Sequence, residues 1–170
     1  MDVREPNRVR RTRSHVIAAP VEEVFPLYCP VREVDWVAGW SPLSVWSRSG
    51  LVEADCVFET EAGGDRSIWV VTRHDPEALR VEMWKITPEV TACKLEIALE
   101  RLAAGGAKTG RDERGGTAPG TRVTVAYSHT SLGPRGDALV ADFTEEAFGA
   151  FMDRWEAAMA HWFRTGECLK

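Results

Sequence analysis

Apolar and polar residues alternate with a period of two through the middle of the chain, between residues 43 and 129. In the clearest run, residues 93–100, apolar side chains alternate with charged ones such as Lys94 and Glu96. Similar runs occur at 52–59, 67–73, 79–83 and 123–129, and short turns such as Gly63-Gly64-Asp65 separate them. Strands joined by short turns, without helices between them, predict an antiparallel meander of about six strands.

A further strand, at 13–18, precedes two short helices. Pro20 followed by Glu22 and Glu23 is typical of a helix start, because proline fits the first turn and acidic side chains favour the positive end of the dipole. Pro26 lies within this helix, so we expect it to be short or kinked. The second short helix is expected at 31–37, ending near Gly39.

The period changes to 3.6 from about Asp137, which predicts one long amphipathic helix that ends at Gly166. Its apolar positions are Leu139, Val140, Phe143, Ala147, Phe151, Trp155, Met159 and Trp162. We expect the stripe formed by Phe143, Ala147, Phe151 and Trp155 to be buried against the sheet.

Two segments lack apolar periodicity. Residues 1–12 are rich in arginine and are predicted to be a solvated lead-in to a single domain at 13–170. Residues 103–120 are rich in glycine and charge and are predicted to form a mobile hairpin loop.

Composition excludes several classes of protein. The 26 acidic and 21 basic residues give a formal charge of −5, which argues against nucleic acid as a main partner. No apolar stretch approaches the length of a membrane span. The four cysteines are scattered without a CxxC pair, and no export signal is visible, so we expect a reduced, cytoplasmic protein.

A long apolar helix against a curved sheet, with short helices plugging one end, leaves a cleft between the layers. The segments IAAPVEEVFPLY, VDWVAGW, WVVTRHDP, ITPEV, LEIALE and GTRVTVAYSHTSL, in this order before a long helix, resemble the START-like (SRPBCC) superfamily. Within it, they resemble polyketide cyclase/dehydrase-like bacterial proteins. The resemblance implies an α+β helix-grip fold: a curved antiparallel sheet of six or seven strands, two short helices and a long C-terminal helix enclosing a cavity. It also implies binding of a hydrophobic or aromatic small molecule.

Two titratable residues are candidates for catalysis. His129 and Tyr127 share a face with Val123 and Val125, toward the expected cavity. A histidine there is a candidate general acid or base, and a tyrosine is a candidate hydrogen-bond donor to a ligand. Ordinary core roles remain open for both.

Six further residues are candidates for ligand binding: Trp36, Trp40, Arg73, Phe148, Met152 and Trp155. Trp36 and Trp40 suit either the cavity mouth or packing under the short helices. Of the three residues on the C-terminal helix, at least two are expected to touch the cavity. Arg73 would recognise an acidic ligand if it points inward; an outward, solvated arginine is the alternative.

No HxH, HExxH or GxSxG pattern occurs, and no metal or cofactor is expected. Three functional hypotheses remain: a carrier or sensor that binds a hydrophobic small molecule, a cyclase, aromatase or dehydratase with His129 as acid or base, and a protein-interaction module. Trp46 and Trp84 are out of phase with the apolar positions around them and are expected on the outer sheet face, where they favour a homodimer.

Overall fold

The computed structural model describes residues 1, 3–103 and 119–169, and its centre is a seven-stranded antiparallel sheet. The strands are β1 (Arg8–Ile17), β2 (Ser44–Trp46), β3 (Val57–Ala62), β4 (Asp65–Asp75), β5 (Arg80–Thr87), β6 (Thr91–Leu102) and β7 (Gly120–Ser131). Their spatial order is β1-β7-β6-β5-β4-β3-β2, so the first strand pairs with the last and the rest form a meander. The predicted meander and the helix-grip architecture are confirmed.

In the described part of the chain, three α-helices and two 3₁₀ turns accompany the sheet: α1 (Val21–Val24), the turns Phe25–Leu27 and Glu33–Asp35, α2 (Pro134–Asp142) and α3 (Glu145–Thr165). Pro26 lies at the start of the first 3₁₀ turn and ends α1 after four residues, as expected for a residue without an N–H donor. The helix predicted at 31–37 is reduced to the second 3₁₀ turn, which presents Glu33 to the interior.

The single long C-terminal helix that the sequence predicts is divided in two. The chain leaves the helical conformation at Phe143, and Thr144 caps α3 by accepting a hydrogen bond from the Ala147 amide at 3.1 Å. The predicted end is correct, because Gly166 adopts the left-handed conformation with φ of 70°.

The buried face of α3 also differs from the predicted stripe. Phe148, Met152 and Met159 are buried, Phe151 and Trp155 are half-buried, and Ala147 is exposed. α3 packs against β1. Arg13 on β1 forms an ion pair with Asp153.

The arginine-rich segment contributes to the sheet. β1 begins at Arg8, so the last part of the predicted lead-in is a strand paired with β7, and Arg10 forms an ion pair with Glu96 on β6. The predicted loop at 103–120 falls almost wholly outside the described residues. No helix in the described part of the chain is long and apolar enough to cross a membrane.

The outer face of the sheet carries two exposed tryptophans at the ends of one cross-strand row. Trp46, Val57, Val70 and Trp84 are register partners on β2 to β5. The side chains of Trp46 and Trp84 are 55% and 36% exposed, as predicted for the outer face.

Candidate functional site

The concave face of the sheet carries a row of side chains with reactive chemistry. Trp69, Lys85, Cys93 and His129 are register partners on the four neighbouring strands β4 to β7. Directly opposed residues on antiparallel strands point to the same face. Trp69, Cys93 and His129 are buried, so this face is the interior one.

His129 is buried and only partly satisfied by hydrogen bonding. Its Nε2 lies 3.6 Å from the Cys93 Sγ, whereas its Nδ1 has no partner among the described residues. The ring stacks on Tyr127 at 6.0 Å and meets the edge of Phe143 at 4.6 Å. Burial, aided by the Lys85 cation, lowers the pKa of His129 to about 4. The imidazole is therefore neutral at pH 7 and has no acidic proton to donate as an imidazolium.

Burial also disfavours charge on two other members of the row, Lys85 and Cys93. The Lys85 Nζ lies 5.2 Å from the centre of the Trp69 ring, a cation–π distance, and desolvation lowers the pKa of this amine. Desolvation raises the pKa of the Cys93 thiol to about 12, so the thiol stays protonated. A protonated buried thiol is a poor nucleophile.

Tyr127 lies in the next row, opposite Leu95. Its ring is 5.9 Å from Phe148 and 6.0 Å from Phe151, in edge-to-face contact with α3. Burial raises its pKa well above the usual value, so the phenol is neutral. The Tyr127 hydroxyl has no hydrogen-bond partner among the described residues.

Glu33 is the most perturbed acid at the site. The 3₁₀ turn places its side chain in the interior, where it is 7% exposed. The described residues provide no hydrogen bond or ion pair to this carboxyl. Burial raises the pKa of Glu33 to about 8, so the group is protonated at pH 7. A buried carboxyl without a partner is unfavourable for folding and typical of a functional site.

Glu33 and Tyr127 both line a small, partly enclosed space of about 30 Å³, here called the interior cavity. Its lining residues are Pro30, Glu33, Trp40, Phe58, Trp69, Met83, Leu95, Tyr127 and Trp155. The volume suits about one water molecule or one small polar group. The sequence suggested a larger apolar cavity between sheet and helix, and the aromatic side chains fill most of that space.

A second, larger depression of about 410 Å³ lies on the surface between α3 and the segment that follows Glu33. This surface groove is lined by Val37, Ala38, Phe151, Arg154, Trp155, Ala157, Ala158 and Leu169. Trp155 lines both spaces. Trp155 is therefore the residue that borders both spaces, and it is called here the partition between the surface groove and the interior cavity.

The other predicted ligand-binding residues either line the interior cavity or are buried outside its lining. Trp40 lines the interior cavity, and its Nε1 donates to the Pro30 carbonyl at 2.8 Å. Trp36 is fully buried behind the partition, with its ring edge-on to Trp155 at 5.4 Å. Phe148 and Met152 are buried between α3 and the sheet, outside the lining of the interior cavity.

Arg73 does not join the site. Strict alternation from Trp69 and Val71 would point it inward, but the register shifts between Val71 and Arg73. This bulge turns Arg73 to the outer face, where it is exposed and pairs with Asp75 at 2.8 Å. The inward placement is wrong, and the outward alternative is correct.

Sequence reasoning missed Glu33 and Lys85. Lys85 could have been identified from the sequence. It alternates in step with Val81 and Met83, whose side chains point inward from β5. Glu33 could not, because its turn is irregular and its neighbours Arg32 and Asp35 form a partly exposed ion pair.

Comparisons with known proteins give fold-level likeness only. No protein-family profile matches the chain, and no curated protein sequence matches it. Norcoclaurine synthase from Thalictrum flavum, solved in complex with dopamine and hydroxybenzaldehyde, superposes with a TM-score of 0.57 at 12% identity, covering 89% of this chain and 86% of that one. Ara h 8.0201 gives a TM-score of 0.55 at 14% identity, covering 90% and 98%.

A bacterial structure is similar to the same degree. An uncharacterised protein from Rhizobium leguminosarum superposes with a TM-score of 0.54 at 13% identity, covering 94% of this chain and 99% of that one. These likenesses establish the helix-grip fold, as the sequence predicted. At such low identity they assign no activity, because one fold supports many functions.

Proposed function

We propose that the protein binds an apolar, aromatic small molecule between the sheet and α3, with access past Trp155. The observation that carries this proposal is the position of Trp155, which separates an apolar surface groove of about 410 Å³ from the buried interior cavity. Rotation of one side chain would join the two spaces. The groove is within the range of about 300–1,000 Å³ that ligand pockets occupy.

The expected affinity follows from the area that a ligand buries. A two-ring compound that buries about 250 Å² of apolar surface gains about 6 kcal/mol before association costs. Generic aromatic compounds should therefore bind at micromolar to millimolar concentrations, and polar contacts with Glu33 and Tyr127 would distinguish a natural ligand. The small aromatic compounds bound to norcoclaurine synthase support this choice of ligand class.

A specific observation also favours an enzymatic alternative of the cyclase or dehydratase type. Glu33 is held protonated at the interior cavity, where its pKa of about 8 suits a general acid or base near neutral pH. Glu33 fits this role better than His129, whose pKa is lowered to about 4 and whose ring does not line the interior cavity.

The binding proposal is tested by blocking the surface groove. Ala157 is an exposed residue of α3 that lines the groove, whereas Ala150 is an exposed residue of the same helix outside it. Binding of 2-naphthol is measured by calorimetry and by quenching of tryptophan fluorescence. Ala157→Trp should weaken binding about tenfold or more, a loss of about 1.4 kcal/mol, and Ala150→Trp should leave it unchanged.

The same titration separates the hypotheses. Equal affinities of the two variants for 2-naphthol would show that the ligand does not enter through the surface groove. No saturable binding to the unmodified protein would refute the proposal and leave a surface-interaction role. Turnover of a bound compound that Glu33→Gln abolishes without weakening its binding would favour the enzyme.

A further inference from the structure

The interior cavity combines a buried acid with an unusually aromatic wall. Five of its nine lining residues are aromatic: Trp40, Phe58, Trp69, Tyr127 and Trp155. Aromatic rings present a negative face, and several rings around one small space are the arrangement that proteins use to bind ammonium groups. Glu33 supplies the acid.

Two of the indole N–H groups at the cavity already donate hydrogen bonds within the protein. The Trp40 Nε1 already donates to the Pro30 carbonyl at 2.8 Å, and the Trp69 Nε1 donates to the Thr60 hydroxyl at 2.9 Å. Carboxylate and phenol oxygens, by contrast, remain without partners among the described residues. Once Glu33 is ionised, its carboxylate oxygens only accept hydrogen bonds, so the wall then suits a cationic ligand group that donates them.

One of these rings already accepts a cation. The Lys85 Nζ lies over the Trp69 ring at 5.2 Å from its centre. The Lys85 ammonium does not act as a counter-ion for Glu33. The pKa of Glu33 is raised by burial alone, without an opposing effect from any basic group. The carboxyl of Glu33 thus lacks an internal counter-ion, although the site is suited to one.

We infer that the interior cavity binds the primary ammonium group of an arylalkylamine, with Glu33 as the counter-ion and the rings of Trp40, Phe58 and Tyr127 as the cage. The inference rests on the proposed function, because the aryl part occupies the surface groove after Trp155 moves. The volume of about 30 Å³ selects a primary ammonium over a trimethylated one, since an –NH₃⁺ group is about the size of a water molecule. The ammonium donates hydrogen bonds to the carboxylate and to the Tyr127 hydroxyl.

Binding in this manner is coupled to release of a proton. In the free protein Glu33 is protonated below pH 8, and it must ionise to pair with the ammonium. The titratable groups that sense the Glu33 charge are Tyr28 and Tyr127, both of which stay neutral because burial raises their pKa values. The affinity for the amine should therefore rise by up to about tenfold per pH unit from pH 6 to pH 8.

The test compares two ligands of similar size and different charge, 2-phenylethylammonium and 2-phenylethanol, by calorimetry at pH 8. The amine should bind about tenfold or more tightly than the alcohol, since hydrogen bonds between charged groups are the stronger ones. At pH 7, titrations in buffers of different ionisation enthalpy should show release of about one proton per amine bound and none for the alcohol.

Two variants assign the effect to Glu33. Glu33→Gln keeps the shape of the side chain and should abolish the preference for the amine and its proton release, while alcohol affinity changes less than about threefold. The control Glu23→Gln alters an exposed carboxyl on α1 and should change neither ligand.

The outcomes distinguish the two proposals. The ammonium assignment is overturned if the alcohol binds as tightly as the amine, or if Glu33→Gln still prefers the amine. In either case the proposal of a ligand pocket between the sheet and α3 is retained. If neither compound binds to the unmodified protein, the proposed function fails and the ammonium assignment fails with it.

Discussion

Replacing Glu33 by glutamine should stabilise the protein at neutral pH. The carboxyl is 7% exposed, without a hydrogen-bond or ion-pair partner among the described residues. It must therefore remain protonated in the folded state, while it ionises freely in the unfolded chain. Glutamine has nearly the same shape and is neutral in both states, so the substitution removes this difference.

The magnitude follows from the two pKa values of Glu33, 4.5 for the ordinary carboxyl and about 8 in the folded protein. Below pH 4.5 both states are protonated, and the group does not affect the pH dependence. Between these values the unfolded state releases a proton that the folded state retains, so stability falls by about 1.4 kcal/mol per pH unit. The loss is about 3 kcal/mol at pH 7 and levels off at about 5 kcal/mol above pH 8.

Urea unfolding monitored by tryptophan fluorescence measures this effect at pH 5, 6, 7 and 8. The quantity of interest is the free energy of unfolding of Glu33→Gln minus that of the unmodified protein, because other titrating groups cancel in the difference. This difference should be small at pH 5 and increase toward pH 8. The control Glu23→Gln should show a difference within about 0.5 kcal/mol that is independent of pH. A difference that does not change between pH 5 and pH 8 would refute the burial of an unpartnered acid.

Three further predictions concern the core, acid stability and the outer face. Phe148→Ala should cost about 3–5 kcal/mol in urea unfolding and Glu145→Ala almost nothing, and similar costs would contradict the docking of α3. Burial lowers the pKa values of His15 and His129 to about 4, so the unfolded chain takes up protons first and stability should fall as the pH drops from 6.5 to 4. His129→Gln should flatten this fall in the same urea assay, and an unchanged slope would contradict the burial of that ring. Arg73→Ala should leave the affinity for 2-naphthol unchanged in calorimetry, and a tenfold loss would show that Arg73 takes part in ligand binding.

The sequence alone determined the fold, because the fold depends on periodicity. Alternation with a period of two identifies the strands and their buried faces, and it correctly placed Tyr127 and His129 inside and Trp84 outside. Pro26 ended α1 and Gly166 ended α3 for reasons local to the backbone. The order of these elements, with the quoted motifs, was sufficient for the helix-grip architecture.

The composition of the site was decided by tertiary structure. A single bulge removed Arg73 from the interior, since one extra residue reverses the face of every side chain beyond it. An irregular turn brought Glu33 to the interior cavity, and neither feature produces a periodic signal. The volume that remains between sheet and α3, and the role of Trp155 as its partition, depend on how large side chains interlock across distant segments. Periodicity specifies which face a residue occupies, whereas the space between two faces depends on packing.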